Sequence, residues 1–418
     1  MEAVEFTKPP VPSVLVYLFV FQNILNAGSP YITLAINVVL AMTALLMNRM
    51  RFRAADPQTF NIALAVLVWL CLVIVYRGDF ETQTLLKYFR TTVMIALVTF
   101  LVGASTISPR TFLNAICLTL AFHVTLVLLQ IPFDDLVYIT APIFGFERET
   151  SILDQYALRK LGATSSYDTA SFLSVSASVL FYLRYLSSKN FIFILLLAAS
   201  LAAGMMSSRT GMAMTLLVLG AIYIRGIFTA KPIVKFVLAM GLAGMVVFAL
   251  IYVLPLIKQT LGIGELSADD ATLIFNVSDY GTTGTLEALS EDHLAGLKKP
   301  FFDLLIGFAR DPNSTPTPSD IGYVKLIFHV GIVGTVLIVL LHLRMLALTV
   351  YRLRQQGAET DERHLGQFLF WLVGAGLFFN YKSLELYSRG VGDLILIMFI
   401  FLAASWPTDR LRMGDSYA

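Results

Sequence analysis

The turn Met206-Ser207-Ser208-Arg209-Thr210-Gly211 sits in an apolar run, residues 190–225, whose only interior charge is Arg209. A single helix of that length overshoots a membrane, so the chain must break at the turn. Ser207 or Ser208 can cap the helix that follows, leaving free N–H groups and the positive end of the helix dipole beside a guanidinium. That combination makes a phosphate-binding corner. The plainer alternative is that Arg209 snorkels to ordinary lipid headgroups. A second basic segment is Leu158-Arg159-Lys160-Leu161-Gly162-Ala163-Thr164-Ser165-Ser166-Tyr167-Asp168, in which two cations precede a hydroxyl-rich helix start. Arginine suits bidentate phosphate contacts, although a solvated loop charge is the better explanation of this segment taken alone, and Arg148 in the same loop carries less. A third segment runs Leu305-Ile306-Gly307-Phe308-Ala309-Arg310-Asp311-Pro312 and, after a Pro/Ser/Thr linker, Ser319-Asp320-Ile321-Gly322-Tyr323-Val324-Lys325. Asp320 can take up a proton as a general base or simply cap the helix that follows it, and Lys325 lies close enough along that helix to pair with it.

Other residue types speak for packing. His123 and His329 lie in apolar stretches and read as core histidines, and Cys71 and Cys117 as small core residues outside any disulfide or metal site. Arg77-Gly78-Asp79 is a short-loop coincidence, and the glycosylation-like triplets at Asn276 and Asn313 are patterns that arise often by chance. There is no nucleotide-binding Gly loop, no metal-ligand spacing, no serine-nucleophile elbow, and no basic tract suited to nucleic acid.

The elements that must hold these residues are set by composition. Apolar residues make up 57% of the 418-residue chain and charged residues 14%, with a mean hydropathy of +0.75. A soluble domain carries roughly 25% charge. The pattern predicts one all-α polytopic membrane domain with about twelve transmembrane helices, near 12–27, 30–47, 60–76, 88–106, 111–130, 168–186, 190–206, 210–225, 234–254, 320–342, 365–380 and 391–405. Two long connections remain, 131–167 and 255–319, and residues 286–299 within the second have the leucine spacing of a surface helix. The first apolar run ends at Asn26-Ala27-Gly28-Ser29-Pro30 and a second follows at once, which reads as a helical hairpin and not a cleavable leader. With the N-terminus inside, the inner segments hold over half of the 30 basic residues, among them Arg49, Arg51 and Arg53, but under a third of the 28 acidic ones. Such a bias places both termini in the cytoplasm and both long loops outside.

Taken in order, these segments resemble one family, the Wzy-type O-antigen and capsule polymerases, within the group that also includes the O-antigen ligases. Arg159…Gly162 before a helix resembles that family's basic outer-loop signature. Ser208-Arg209-Thr210-Gly211 resembles its Ser-Arg turn. The run from Leu304 to Gly334 resembles its Gly-containing loop and the helix that ends in Gly331-x-x-Gly334. The resemblance covers most of the chain from about residue 130 onward. Two departures stand out. The ligases carry a histidine where Asp320 stands here, which favours a polymerase. The paired Arg-x10-Gly loops of some polymerases are absent: eleven residues after Arg148 is Arg159, and eleven after Arg310 is Ile321.

The resemblance implies a glycosyltransferase at the outer leaflet of a bacterial inner membrane. Its donor and acceptor would be undecaprenyl-pyrophosphate-linked oligosaccharides, with no metal or other cofactor required and with a chain-length regulator as a further expected partner. It implies Asp320, Arg209 and Arg159 as catalytic residues and Arg310, Tyr323, Lys382 and Ser208 as substrate-binding ones. Two other classes remain open at this point: a ligase attaching finished glycan to lipid A-core, and a twelve-helix transporter of polysaccharide or small molecules. A carrier would place polar gaps at mid-membrane in both halves. Here the polar residues gather at one face, and no internal repeat is visible.

Overall fold

The computed structural model describes residues 13–25, 30–47, 57–104, 107–133, 135–144, 160–164, 166–208, 211, 214–222, 297–310, 321–354, 360–380, 386 and 390–405. Among them there are helices and turns but no strand. We number the helices α1 (Ser13–Ile24), α2 (Pro30–Met47), α3 (Pro57–Arg77), α4 (Thr82–Ala104), α5 (Pro109–Leu129), α6 (Asp135–Ile143), α7 (Tyr167–Ser188), α8 (Ile192–Ser207), α9 (Phe301–Ile306), α10 (Gly322–Arg354), α11 (Thr360–Phe379) and α12 (Val391–Ser405). The chain divides into two compact units, one made of Met1–Met214 with Gly296–Ala418 and the other of Thr215–Ala295. All the numbered helices belong to the first. In the second, residues 215–222 are helical.

Local chemistry sets the helix starts. Proline opens α2, α3 and α5, where its missing N–H costs nothing and its fixed φ suits the first turn. Ser108 and Ser166 cap α5 and α7, their side-chain oxygens accepting from Thr111 N and Thr169 N at 3.0 and 3.1 Å. α7 ends at Lys189 in the left-handed conformation, φ 55°.

Among the described residues, four helices are long and apolar enough to cross a membrane: those containing Gln58–Arg77, Pro109–Leu129, Tyr167–Ser188 and Gly322–Arg354. Shorter apolar helices accompany them. Large apolar side chains also lie exposed on many faces, Val75 at 80% among them. Apolar surface on this scale marks a membrane protein. It also corrects the expectation for the cysteines. Cys71 is exposed and Cys117 half-buried, because in such a helix an apolar neighbourhood in sequence is as often the outside as the core.

Polar groups inside the bundle find partners in neighbouring helices. Asn23 of α1 and Asn37 of α2 exchange side-chain bonds at 3.1 and 2.9 Å, Gln22 joins at 2.9 Å, and Asn37 also reaches Met94 Sδ of α4 at 3.1 Å. Such interhelical bonds are the glue of bundles in lipid. α7 and α8 make the most extensive helix pair, and Ser171, Ser174, Ser176 and Ser178 of α7 are all fully buried. Ser171 meets Ser208 at the end of α8, while Ser174 faces His123 of α5 and Ser176 faces Trp371 of α11.

Five ion pairs among the described residues fall into two sets at opposite ends of the helices. At one end, Arg184 near the end of α7 bonds Asp361 at the start of α11 (2.9 Å), and Arg352 near the end of α10 pairs with Glu362 (3.6 Å). At the other, Arg77 at the end of α3 bonds Asp303 of α9 (2.8 Å), Arg310 pairs with Asp79, and Arg90 early in α4 bonds Asp393 early in α12 (2.8 Å).

The fold departs from expectation in three places. The segment 131–167 contains α6, and 255–319 contains α9. Helix α10 runs twelve residues past the expected end at 342, to Arg354, and carries non-helical geometry at Gly331 (φ 68°, ψ 179°). The expected span 234–254 lies outside the described residues, and so does the surface helix at 286–299 apart from its last three positions.

Candidate functional site

Two of the three segments singled out by sequence meet. The backbone N–H of Lys160 donates to the carbonyl of Met206 at 3.2 Å, which joins the loop before α7 to the end of α8. Behind that contact the loop is tightly specified. Gly162 has φ 57°, and a Cβ there would overlap Val127 and the His123 ring. Its N–H donates to Gln130 Oε1 at 2.8 Å. Gln130 Nε2 in turn donates to Thr140 Oγ1 at 2.7 Å and to the Gly162 carbonyl at 3.3 Å. The next N–H, of Ala163, donates to His123 Nδ1 at 3.2 Å. Nδ1 is therefore an acceptor, and the proton sits on Nε2, which faces the Ala170 carbonyl at 3.0 Å and Ser174 Oγ at 3.1 Å. His123 is thus a core histidine, as its sequence context suggests, and its work is to hold this loop against α7.

The Ser-Arg turn is built as a cap. Of the two serines, Ser207 donates back to the Ala203 carbonyl at 2.9 Å. Ser208 is the one that caps, its Oγ accepting from Gly211 N at 3.0 Å and donating to Ser171 Oγ of α7 at 2.8 Å. Gly211 is required by space, since a Cβ there would overlap the Gly204 carbonyl and Ser171. Arg159 and Arg209 adjoin Lys160 and Ser208 in sequence but lie outside the described residues, as do Arg148, Asp320 and Lys382.

The third segment forms a separate assembly around the break in α10. The N–H groups of Phe308 and Ala309 donate to the carbonyls of Phe328 and His329 at 2.8 and 3.2 Å. The backbones touch at two glycines: a Cβ on Gly307 would overlap the Gly331 nitrogen, and one on Gly331 would overlap the Leu305 and Ile306 carbonyls. Both have positive φ, 94° and 68°. Arg77 locks this arrangement. Its Nε donates to the Gly307 carbonyl at 2.9 Å, one terminal nitrogen to Asp303 Oδ1 at 2.8 Å, and the other to the Asp303 carbonyl at 3.3 Å. Its guanidinium lies 4.7 Å from the Phe308 ring centroid. Trp69 Nε1 of α3 donates to the Val330 carbonyl at 2.7 Å, at the break itself. Broken helices inside membranes are tolerated where such partners re-satisfy the backbone.

Two expected substrate-binding side chains are engaged here by protein. Arg310 is paired with Asp79, and Tyr323 donates its hydroxyl to the Leu377 carbonyl of α11. Arg77 and Asp79, which read as a coincidence in sequence, are anchors.

Sequence reasoning also passed over two contacts made by α4. Tyr88 Oη lies 3.2 Å from His329 Nδ1, with the rings edge to face at 5.8 Å. Two residues along α4, Arg90 holds Asp393, whose side chain is 4% exposed against 14% for Arg90. The start of α12 lies beside the first turn of α7, because a Cβ on Gly390 would meet Thr169 at 3.7 Å. The available signal was a charge inside an apolar helix, which is expensive enough to be placed for a reason. No protein-family model matches the chain, and a search of curated proteins finds no match.

Proposed function

We propose that this chain is a membrane glycosyltransferase that polymerises lipid-pyrophosphate-linked oligosaccharides at the outer leaflet of a bacterial inner membrane. The observation that carries the reading is the Lys160–Met206 backbone bond. It joins Lys160, the residue after Arg159 in sequence, to Met206, three residues before Arg209. In this reading about twelve helices cross the bilayer, both termini are cytoplasmic, and 131–167 and 255–319 face outward. The ion pairs Arg77–Asp303, Arg310–Asp79 and Arg90–Asp393 then lie at the outer end.

The chemistry follows from charge. The bond from the donor sugar's anomeric carbon to the pyrophosphate oxygen breaks, and the acceptor sugar's hydroxyl oxygen forms the new glycosidic bond. The hydroxyl proton passes to a carboxylate, the role given to Asp320, and the lipid pyrophosphate departs as an anion. Arg159 and Arg209 stabilise the negative charge that grows on that leaving group. Ser208 fixes the turn. Arg310 reaches substrate only by exchanging Asp79 for phosphate, and Lys382 supplies a further cation.

The break in α10 is the observation that favours a carrier, since transporters build sites at discontinuous helices. Deleting the gene and separating the surface polysaccharide on a gel decides among the readings. Single-repeat species without a ladder support the polymerase. Uncapped lipid A-core indicates a ligase, and an unchanged profile indicates transport.

A further inference from the structure

We propose that α9 is a membrane-interface wedge: Phe301 and Phe302 insert among lipid acyl chains beside α3, with Lys298 and Lys299 at the level of the lipid phosphates. This inference rests on the membrane reading of α3 and not on any enzymatic activity.

The two phenylalanines are exposed at 71% and 57%, large rings with no polar atom to reward contact with water. They do not stand alone. Tyr76 at the end of α3 is 60% exposed and meets Phe302 edge to face at 6.3 Å. Tyr76 ends an exposed stripe on α3 that runs Leu64, Val68, Leu72 and Val75, at the spacing of one helix face. α3 is one of the helices fit to cross a membrane, and this stripe is the surface it presents to lipid. The apolar face of α9 therefore continues a lipid-facing surface past the end of its helix. A carbohydrate partner would leave that continuity unexplained.

Three further features fit the same occupant. Lys298 and Lys299 are exposed immediately before α9, which gives cation-then-aromatic order along the chain, and both residue types favour the headgroup boundary. Pro300 sits at the N-cap of α9 and separates the cations from the rings. Arg77 holds Asp303 and the Gly307 carbonyl, so the polar side of α9 is fixed on protein and the rings are left facing outward. An interfacial helix needs one such anchored polar face and one buried apolar one.

The test places a nitroxide at Phe301→Cys or Phe302→Cys in a Cys71→Ala/Cys117→Ala background. The full chain is reconstituted in phosphatidylethanolamine–phosphatidylglycerol vesicles. Collision rates with oxygen, which concentrates in the acyl region, are compared with those of a water-soluble nickel chelate. Labels at Val68 on the α3 stripe and at Asn190 in the α7–α8 connection supply lipid and water references. The expected oxygen-to-nickel ratio at 301 and 302 falls below that of Val68, which lies about two turns deeper along α3, and exceeds that of Asn190 several-fold. A ratio equal to that at Asn190 overturns the proposal, and so does shielding from both reagents, which would mean that protein covers the rings. Because the labelled variants can misfold, the unaltered protein is also photolabelled with a bilayer-soluble carbene precursor. Carbene adducts on Phe301 or Phe302 support the wedge, and their absence from that peptide while the α3 stripe is labelled refutes it.

Discussion

Arg90 and Asp393 offer the sharpest energetic test of the bundle. Their bond is 2.8 Å long, with the arginine side chain 14% exposed and the carboxylate 4%. Asp393 is thus the better buried partner, and the long arginine side chain can reach toward the headgroups when released. Removing one member of a buried pair strands the other and costs about 3–5 kcal/mol. Arg90→Met strands the carboxylate and belongs at the upper end of that range. Asp393→Asn keeps a hydrogen-bond acceptor for a cation that can still find solvent, and belongs at or below the lower end. In Arg90→Met/Asp393→Asn no charge remains, so most of the Arg90→Met loss returns. Replacing both partners with apolar residues, Arg90→Met/Asp393→Leu, is expected to fall within about 1 kcal/mol of the parent, because a buried pair's attraction is largely offset by its desolvation. The assay is thermal or denaturant unfolding of purified protein in detergent, read as a double-mutant cycle. If Arg90→Met costs under about 1 kcal/mol, comparable to an exposed pair, the pair is solvated. Additive losses in the double variants would likewise refute the stranded-charge argument.

Gly162→Ala places a Cβ into Val127 and the His123 ring at a left-handed φ, and is expected to lose at least about 2 kcal/mol in the same unfolding assay. Membrane-impermeant maleimide added to intact cells is expected to label Thr82→Cys and not Asn190→Cys; the reverse would invert the proposed topology. Arg209→Ala is expected to abolish polymer at a normal protein level, and Arg209→Lys to keep part of the activity because an ammonium lacks the bidentate fork; a fully active alanine variant returns Arg209 to headgroup snorkelling. Asp320→Asn is expected to slow extension of lipid-linked repeat units by about 10²–10⁴-fold, as badly as alanine, if the carboxylate takes the proton. A cap would tolerate asparagine, so a near-normal rate for the purified asparagine variant assigns Asp320 to capping.

Helices with continuous apolar runs were readable because their signal is length and hydropathy alone. Pro57 and Pro109 open helices whose starts were expected at 60 and 111. The break at Met206–Gly211 was readable for a related reason, a span too long for the membrane with a serine cap available. The assembly at Gly331 was not. Its partners approach from Phe308 and from Arg77, Trp69 and Tyr88 on other helices, and single-chain periodicity holds no record of which carbonyl will accept a distant N–H. Arg77-Gly78-Asp79 was misread for the same cause. A charge at a helix end looks solvated until the element that covers it is known. Arg310 and Tyr323 looked free for substrate because nothing in the sequence pairs them with Asp79 or with the Leu377 carbonyl.

The joint at Gly331 and the clasp of Arg77 close loops of very different length. The bonds from Phe308 and Ala309 to Phe328 and His329 span a short stretch of chain, so their closure costs little entropy and can occur as soon as the second segment emerges. The clasp from Arg77 to Asp303 joins residues 226 positions apart. By loop length alone the clasp costs about 2 kcal/mol more entropy to close than the joint. The Gly307–Gly331 joint is therefore the cheaper of the two to close, although Arg77, Asp303 and Gly307 all precede Phe328 in the chain.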